Sequence, residues 1–526
     1  MARTGLTRSA DGATEGRLAA TPAQPGTRGR GQGVRPAPAR GRPARPAALL
    51  APAAVMLGLG LWGLDRGTMW RDEAATFDVA RRSLPQMWHL FGSVDAVHGL
   101  YYLLMRPVLA LRADELALRL PSVAASAATA ALVGAIGCRL AGPRVGLWAG
   151  LLFAGTPFVS HYAQEGRSYA LVTTGAALAT WLLVRAVEHG SAGRWAAYGA
   201  AAAGAALLHE FAALLLAAHA LTLLTGRVPW RTWRGWGAAA LAVCAVLVPL
   251  VLRTRGQSGQ VSWLRTPGYA EAKALVRSFA GPGGLVLVVT LALIAVAVLA
   301  PRPRVGVLHP TAVALPWAVV PPVLLYTVSQ SQPLFYDRYL LFCVPGVPLL
   351  AATGADRLLG AVRRRRLVTA AGVLAIAAAF VWQLPYQERE RRPASRGDEL
   401  ARVAAVAGRQ ARPGDAVLFL PQYERRVSLA YPEDFAGLRD VGLRRSPAAS
   451  GTLYGEDVAP AELADQLARL DARQRLWVVW DTSAVGSRWY RGQPAERART
   501  DALDRLYREE SATYVRGGAV SLYVRR

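Results

Sequence analysis

Two adjacent carboxylates, Asp72-Glu73, stand just after an apolar stretch, and the segment beyond them carries a further acid and an imidazole, Asp95 and His98. Such a set could supply a general base together with the groups that orient it. The same carboxylates could ligate a divalent cation, with Asp72 and Asp95 as donors. Asp72-Glu73 could equally be a solvated cap on an interfacial helix, and His98 an interfacial histidine. A second cluster runs His161-Tyr162-Ala163-Gln164-Glu165-Gly166-Arg167-Ser168-Tyr169. Its arginine suits a phosphate, because a guanidinium meets phosphate oxygens bidentately. An ion pair with Glu165, or snorkelling at a membrane boundary, would also account for it. A third run, 330–339, closes on Asp337-Arg338-Tyr339. His209-Glu210 interrupt an apolar run, as a polar hairpin tip would. The only lysine, Lys273, reads as a solvated loop residue or a contact to an anionic headgroup.

The elements that must position these residues are apolar and repeated. Eleven stretches, at 47–64, 119–138, 144–160, 168–187, 195–208, 211–225, 235–252, 284–300, 310–328, 339–355 and 367–384, are rich in Ala, Leu, Val and Gly. Their lengths approach the hydrocarbon core of a bilayer, about 30 Å thick. The expected fold is therefore a polytopic α-helical membrane protein with about eleven transmembrane helices in residues 46–385. A basic, disordered cytoplasmic tail (1–45) precedes them and a small soluble α/β domain (386–526) follows. The net charge of +26 does not point to nucleic acid, because residues after Leu384 hold 24 Arg against 20 acids. The excess lies in the tail and in short loops between apolar stretches, where positive charge sets orientation.

One apolar stretch, Gly99–Leu111, decides the topology. It is short and contains Arg106-Pro107, and a mid-membrane Arg costs about 2.5–3.5 kcal/mol on insertion scales. If it does not span, the Arg-bearing loops 139–144, 185–194, 226–234, 301–308 and 356–366 all fall on the side of the basic tail. It is therefore expected to be interfacial or re-entrant. The polar clusters at 65–118, 161–167, 209–210, 253–283 and 329–338, with everything after Leu384, then share the outer face.

Within the first outer loop, Phe77, Ala80, Leu84, Met87, Trp88 and Phe91 are expected on one face of two short helices. A capping box, Ser83 with Gln86, marks the break between them. In the C-terminal segment, helix patterns at 398–409 and 460–470 alternate with apolar runs at Ala416–Leu420 and Leu476–Trp480, which reads as an α/β layer. Residues 514–524, with Gly517-Gly518 between two alternating stretches, read as a terminal hairpin. Cys138, Cys244 and Cys343 share no ligand-like spacing.

The order of the polar pieces resembles the GT-C-type membrane glycosyltransferases, in particular the glycosyltransferase family 39 and protein O-mannosyltransferase-like group. The matching pieces are Trp70 to Glu73 (W-x-D-E), Asp95 with His98 to Tyr102, Arg119 to Ser122 (R-L-P-S), Tyr162 to Tyr169 (Y-A-Q-E-x-R-x-Y), and Arg338-Tyr339. Where the family commonly has His-Pro-Pro-Leu, this chain has His98-Gly99-Leu100-Tyr101. The resemblance implies transfer of a sugar from a polyprenyl-phosphate donor at the outer face of the cell membrane, with inversion. The acceptor would be a glycan, lipid or protein hydroxyl. It implies Asp72 as base, Glu73 and Asp95 orienting it or holding a metal, and His98 assisting. Arg167, Arg338 and Tyr339 would meet the donor phosphate, supported by Tyr162, Glu165, Tyr169 and His209. The rival readings are a membrane transporter, which would place ionisable groups near the bilayer midplane, and an inactive membrane scaffold.

Overall fold

The computed structural model describes residues 46–300, 307–360, 362–471, 473–484 and 487–526; the expected N-terminal tail lies outside the described residues. The chain begins with α1 (Pro46–Leu61), α2 (Arg71–Arg81), α3 (Leu84–Ser93), α4 (Gly99–Leu111) and α5 (Glu115–Leu140). Every one of the eleven apolar stretches carries a helix. Among the described residues five helices are long and apolar enough to cross a membrane, Glu115–Leu140, Tyr169–His189, Trp230–Arg255, Pro310–Val328 and Arg365–Trp382. The number rises to seven if two bent pairs each count once. These are Tyr269–Ala280 with Gly284–Leu299, bent by 83°, and Asp337–Cys343 with Gly346–Leu358, bent by 46°. The expected count of eleven is thus not reached by length and composition. Breaks shorten several elements: the 144–160 stretch stops at Gly155 and restarts at Pro157, and His209 ends one helix before a 3-10 turn, Glu210–Leu214.

Glycines bring the helices that carry the site into close contact. A Cβ on Gly134 of α5 would meet the Ala48 carbonyl oxygen of α1 at 2.2 Å, and one on Gly146 would meet Gly134's carbonyl at 2.4 Å. Small residues of this kind let backbones approach without side chains between them. The start of α5 is fixed by Asp114, whose carboxylate accepts the Ala117 N–H at 2.8 Å.

The first loop forms the two expected short helices. Arg82 and Ser83 are both extended, and the Ser83–Gln86 capping box restarts the chain as α3. That restart breaks the shared face expected from sequence. Phe77, Ala80 and Met87 are buried, but Leu84 and Trp88 are 54% and 74% exposed, because α3 does not continue the helical phase of α2. Next comes α4, which buries Tyr101, Tyr102, Met105 and Leu109 and leaves Leu103, Leu104 and Leu111 outward. Its Arg106 donates to the carbonyl of Arg82, closing the C-terminal end of α2.

The C-terminal segment is the expected α/β layer. Its strands are β1 (Ala416–Leu420), β2 (Arg439–Asp440), β3 (Leu443–Arg445), β4 (Glu456–Asp457), β5 (Leu476–Trp480), β6 (Tyr507–Val515) and β7 (Gly518–Arg525). The main sheet has the order β2-β1-β5-β7-β6; β1 is parallel to β2 and β5, and β6 with β7 is the terminal hairpin. Strands β1 and β5 are apolar throughout and largely buried, as expected of parallel strands covered on both faces. This layer is tied to the first loop. Asp398 accepts from Arg71 Nε at 2.9 Å, and the Tyr431 hydroxyl accepts the Met69 N–H at 2.9 Å while donating to Glu115 at 2.7 Å.

Candidate active site

Asp72 and Glu73 lie in the first turn of α2, where the helix N-terminus favours negative charge. Successive helical residues are about 100° apart, and the two carboxylates diverge accordingly. Glu73 turns inward and is fully buried. Its carboxylate accepts from Arg119 Nε at 2.9 Å and Nη2 at 2.7 Å, and from the Gly166 N–H at 2.7 Å. Arg119 also donates to the carbonyls of Leu64, Gly67 and Thr68, at 3.1, 2.7 and 2.9 Å. Burial alone would raise the Glu73 pKa, but the Arg119 charge and hydrogen bonds outweigh it and hold the carboxyl below its ordinary range. These bonds occupy both oxygens and tie the first turn of α2 to Arg119 and to the Gly166 backbone. The solvated-cap reading also fails for it, since the carboxylate is inside the protein.

Asp72 turns the other way. Its Oδ2 is 2.9 Å from Arg338 Nη1, and its side chain keeps partial exposure. Arg338 sits within four aromatic rings: Tyr336 at 4.9 Å, Trp70 and Tyr169 at 5.5 Å, and Tyr339 at 5.7 Å from the ring centres. Such cation–π contacts hold a guanidinium while leaving N–H groups free, and Arg338 Nε is buried without a hydrogen-bond partner. Arg167 reaches the same space from the loop before Tyr169–His189. Its Nη1 donates to the Asp72 carbonyl and the Thr76 hydroxyl, both at 3.3 Å, and to the Tyr102 hydroxyl at 3.5 Å. Its Nε also lacks a partner although the residue is buried.

Asp95 and His98 complete this side. Asp95 adopts a left-handed backbone, φ 61°, which costs a non-glycine residue energy and is tolerated best by Asn and Asp. Its carboxylate accepts from the Tyr102 hydroxyl and lies 3.9 Å from His98 Nε2. Burial pushes the Asp95 pKa up, against the opposing charge of Arg167 and the Tyr102 hydrogen bond. Burial and the charges of Arg167, His209 and Arg338 push His98 well below the usual imidazole range, so it is neutral. His209 packs 4.9 Å from Tyr339, 5.8 Å from Tyr169 and 6.2 Å from His98, ring to ring. The expected hairpin-tip histidine is thus part of the site wall. Asp72 and Asp95 are engaged by Arg338 and Tyr102, and among the described residues no three His, Cys, Asp or Glu side chains stand together as metal ligands.

Glu165 and Tyr162 stand one layer further out. Tyr162 packs edge-on against Tyr169 at 5.7 Å. Glu165 is buried and receives Arg396 Nη1 at 2.8 Å, and burial pushes its pKa up to about 7. Arg396 also contacts His161, whose Nδ1 is 2.5 Å from Glu390. The ion-pair reading of Arg167 with Glu165 is therefore not what forms: Glu165 pairs with Arg396. Glu210 accepts from Thr254 at 3.1 Å, and Lys273 lies over the Tyr269 ring at 6.0 Å, away from the cluster. Sequence reasoning passed over Thr76 and Arg396. Arg396 is one arginine among many, and only the fold returns it to Glu165.

Residues 100–252 match the family model described as dolichyl-phosphate-mannose-protein mannosyltransferase. No curated protein matches the sequence. Among solved structures, ArnT from Cupriavidus metallidurans bound to undecaprenyl phosphate aligns with a TM-score of 0.58 at 15% identity. The alignment covers 90% of this chain and 97% of that one. The same protein in the apo state gives 0.60 at 14%, with the same coverage. The archaeal oligosaccharyltransferase AglB from Archaeoglobus fulgidus, in complex with an inhibitory peptide and a dolichol-phosphate, gives 0.52 at 9%, covering 90% and 74%. At these identities the likeness shows the fold.

Proposed function

This chain is similar to the GT-C-type membrane glycosyltransferases in fold and in its segment 100–252, and on that premise we propose that it transfers a sugar from a polyprenyl-phosphate-linked donor to an acceptor hydroxyl. The observation that carries the reading is the pair of guanidiniums, Arg167 and Arg338, converging on Asp72 with a buried Nε–H each left unpartnered. A buried donor without an acceptor is costly, and a phosphate would supply the missing acceptors. The relatives whose structures hold undecaprenyl phosphate or dolichol-phosphate support a lipid phosphate as that group.

The chemistry is one displacement. The acceptor oxygen attacks the anomeric carbon, the bond from that carbon to the phosphate oxygen breaks, and the electron pair stays on the lipid phosphate. Asp72 takes the hydroxyl proton, and Arg167 and Arg338 meet the charge that grows on the leaving group. A single displacement inverts the anomeric centre. In the absence of donor, Arg338 pairs with Asp72; an arriving phosphate competes for Arg338 and frees the carboxylate. Glu73 and Arg119 fix the first turn of α2, and the Asp95–Tyr102 contact fixes Arg167. A transporter would carry such groups at mid-helix in the bilayer; here they sit at helix ends and in loops. The site faces the outer side of the cell membrane in this reading, together with the C-terminal layer, and the N-terminus faces the cytoplasm.

Native mass spectrometry of the full chain with polyprenyl phosphate tests the phosphate site. Wild type should retain the lipid, and Arg167→Ala combined with Arg338→Ala should not. Equal retention by both proteins would remove the arginines from the donor site.

A further inference from the structure

Outside the Asp72 site, aromatic and charged side chains gather at the carboxyl ends of β1 and β5. In open sheets with parallel strands, ligands bind beyond the strand ends at the point where the connections diverge. Here β1 leads to β2 on one side and β5 leads to the β6–β7 hairpin on the other, so that point falls between β1 and β5. Three rings form a line there. Trp489, 46% exposed, packs 5.5 Å from Tyr423, which packs 6.5 Å from Tyr454. Asp398, which accepts from the Arg71 backbone N–H at 3.2 Å and from its Nε at 2.9 Å beside Asp72, abuts Gly517, and Glu424 abuts Gly518, so this end of the sheet lies against the first turn of α2. The loop of Tyr454 is pinned on the first outer loop: Arg82 donates to the Thr452 carbonyl at 2.9 Å, and Ser93 donates to the Gly451 carbonyl at 2.5 Å. The line of rings therefore runs from the surface of the C-terminal layer toward the carboxylates of the site.

The polar groups beside the rings define what the line suits. Tyr423 donates to Asp481 at 3.0 Å. Arg426 lies 4.8 Å over the Tyr423 ring, 2.8 Å from Glu424 and 3.3 Å from Asp481. Burial pushes the Glu424 pKa up to about 8, so the Arg426 charge is balanced by Asp481 and no positive surplus is left for an anion. Glu424 is fully buried, yet neither of its oxygens accepts a hydrogen bond, and Arg426 Nε is also unpartnered. Flat aromatic faces with neutral-sum hydrogen-bonding groups fit a pyranose, whose C–H face stacks on a ring while its hydroxyls reach both donors and acceptors. A phosphorylated or acidic acceptor would find no free positive charge here.

We propose that Trp489, Tyr423 and Tyr454 form the acceptor subsite and that the acceptor is an uncharged saccharide, an assignment that rests on the glycosyltransferase reading above. The saccharide enters over Trp489 and presents a hydroxyl past Tyr454 to Asp72.

The test is photolabelling of the full-length protein in nanodiscs with diazirine-bearing derivatives of four neutral disaccharides: mannobiose, maltose, lactose and N-acetylchitobiose. At least one should label peptides containing Tyr423, Tyr454 or Trp489, and the parent sugar should compete. Trp489→Ala and Tyr423→Ala should each lower that labelling about tenfold, the scale of one aromatic contact, while Trp489→Phe keeps most of it. Labelling elsewhere, no competable labelling by any of the four, or capture of only a peptide or acidic-lipid photoprobe at these rings would overturn the proposal. Release of lipid phosphate, followed in the same preparation, separates the two readings. Labelled rings without release from any donor would refute the transferase and leave a saccharide site.

Discussion

Glu73→Gln separates two adjacent carboxylates by what each does. The Glu73 side chain is fully buried and accepts two N–H groups of Arg119 and one of Gly166. Glutamine keeps the shape but offers one acceptor oxygen, turns an NH2 toward a donor, and leaves Arg119 buried without a counter-charge. Removing one partner of a buried pair costs about 3–5 kcal/mol. Arg119 keeps its bonds to the Leu64, Gly67 and Thr68 carbonyls, so the loss should fall at the lower end, about 3 kcal/mol. Heating detergent-solubilised protein and reading the surviving monodisperse fraction should show a lowered midpoint for Glu73→Gln and not for Asp72→Asn. The pH dependence has a definite sign. Because the folded pKa of Glu73 is depressed, its stabilisation is present above the unfolded value, about 4.3. That stabilisation is lost as pH falls through the folded value. The gap between wild type and Glu73→Gln should therefore be open at neutral pH and close in acid. A Glu73→Gln protein as stable as wild type at neutral pH but inactive would refute the clamp and return Glu73 to the chemistry.

Asp72→Asn should lower turnover by roughly 10²–10⁴-fold, the scale of a lost general base, with normal membrane insertion; wild-type turnover in this variant would move the role to Asp95. Arg167→Ala and Arg338→Ala should each weaken donor use. Lysine at either position should rescue only in part, because it lacks the guanidinium fork, and full rescue would mean a point charge suffices. For topology, in a background with Cys138, Cys244 and Cys343 replaced, Ala113→Cys should react with an impermeant thiol reagent from outside and Ala141→Cys should not. Outside labelling at Ala141 would put the basic loops on the wrong face and scatter the site.

Much of the fold was legible because its signals are local. Apolar runs located a helix at every expected stretch, and the Ser83–Gln86 box marked the break between α2 and α3. Continuous apolar runs placed β1 and β5, and alternating stretches placed the terminal hairpin. What was not legible depends on phase or on distance along the chain. The pattern at Leu84 and Trp88 read as one face with Phe77 because sequence spacing does not show that two extended residues reset the helix. Asp72-Glu73 read as a pair, and only the fold sends Glu73 to Arg119 and Asp72 to Arg338. The pairing of Glu165 with Arg396 joins residues 231 apart in sequence, and the line from Trp489 to Tyr454 is assembled from three separate segments. The span count fell short because several helices are shorter than the stretches that carry them, as where Gly155-Thr156-Pro157 interrupts 144–160.

The central claim is that Asp72, Arg167 and Arg338 cleave a sugar from a lipid phosphate. It is tested most directly by incubating full-length protein in nanodiscs with a panel of polyprenyl-phosphate sugars and following released polyprenyl phosphate. Wild type should release it from at least one donor, and Asp72→Asn and Arg338→Ala, inserted equally well, should not. No release from any donor by folded wild type, or release undiminished in both variants, would contradict the account.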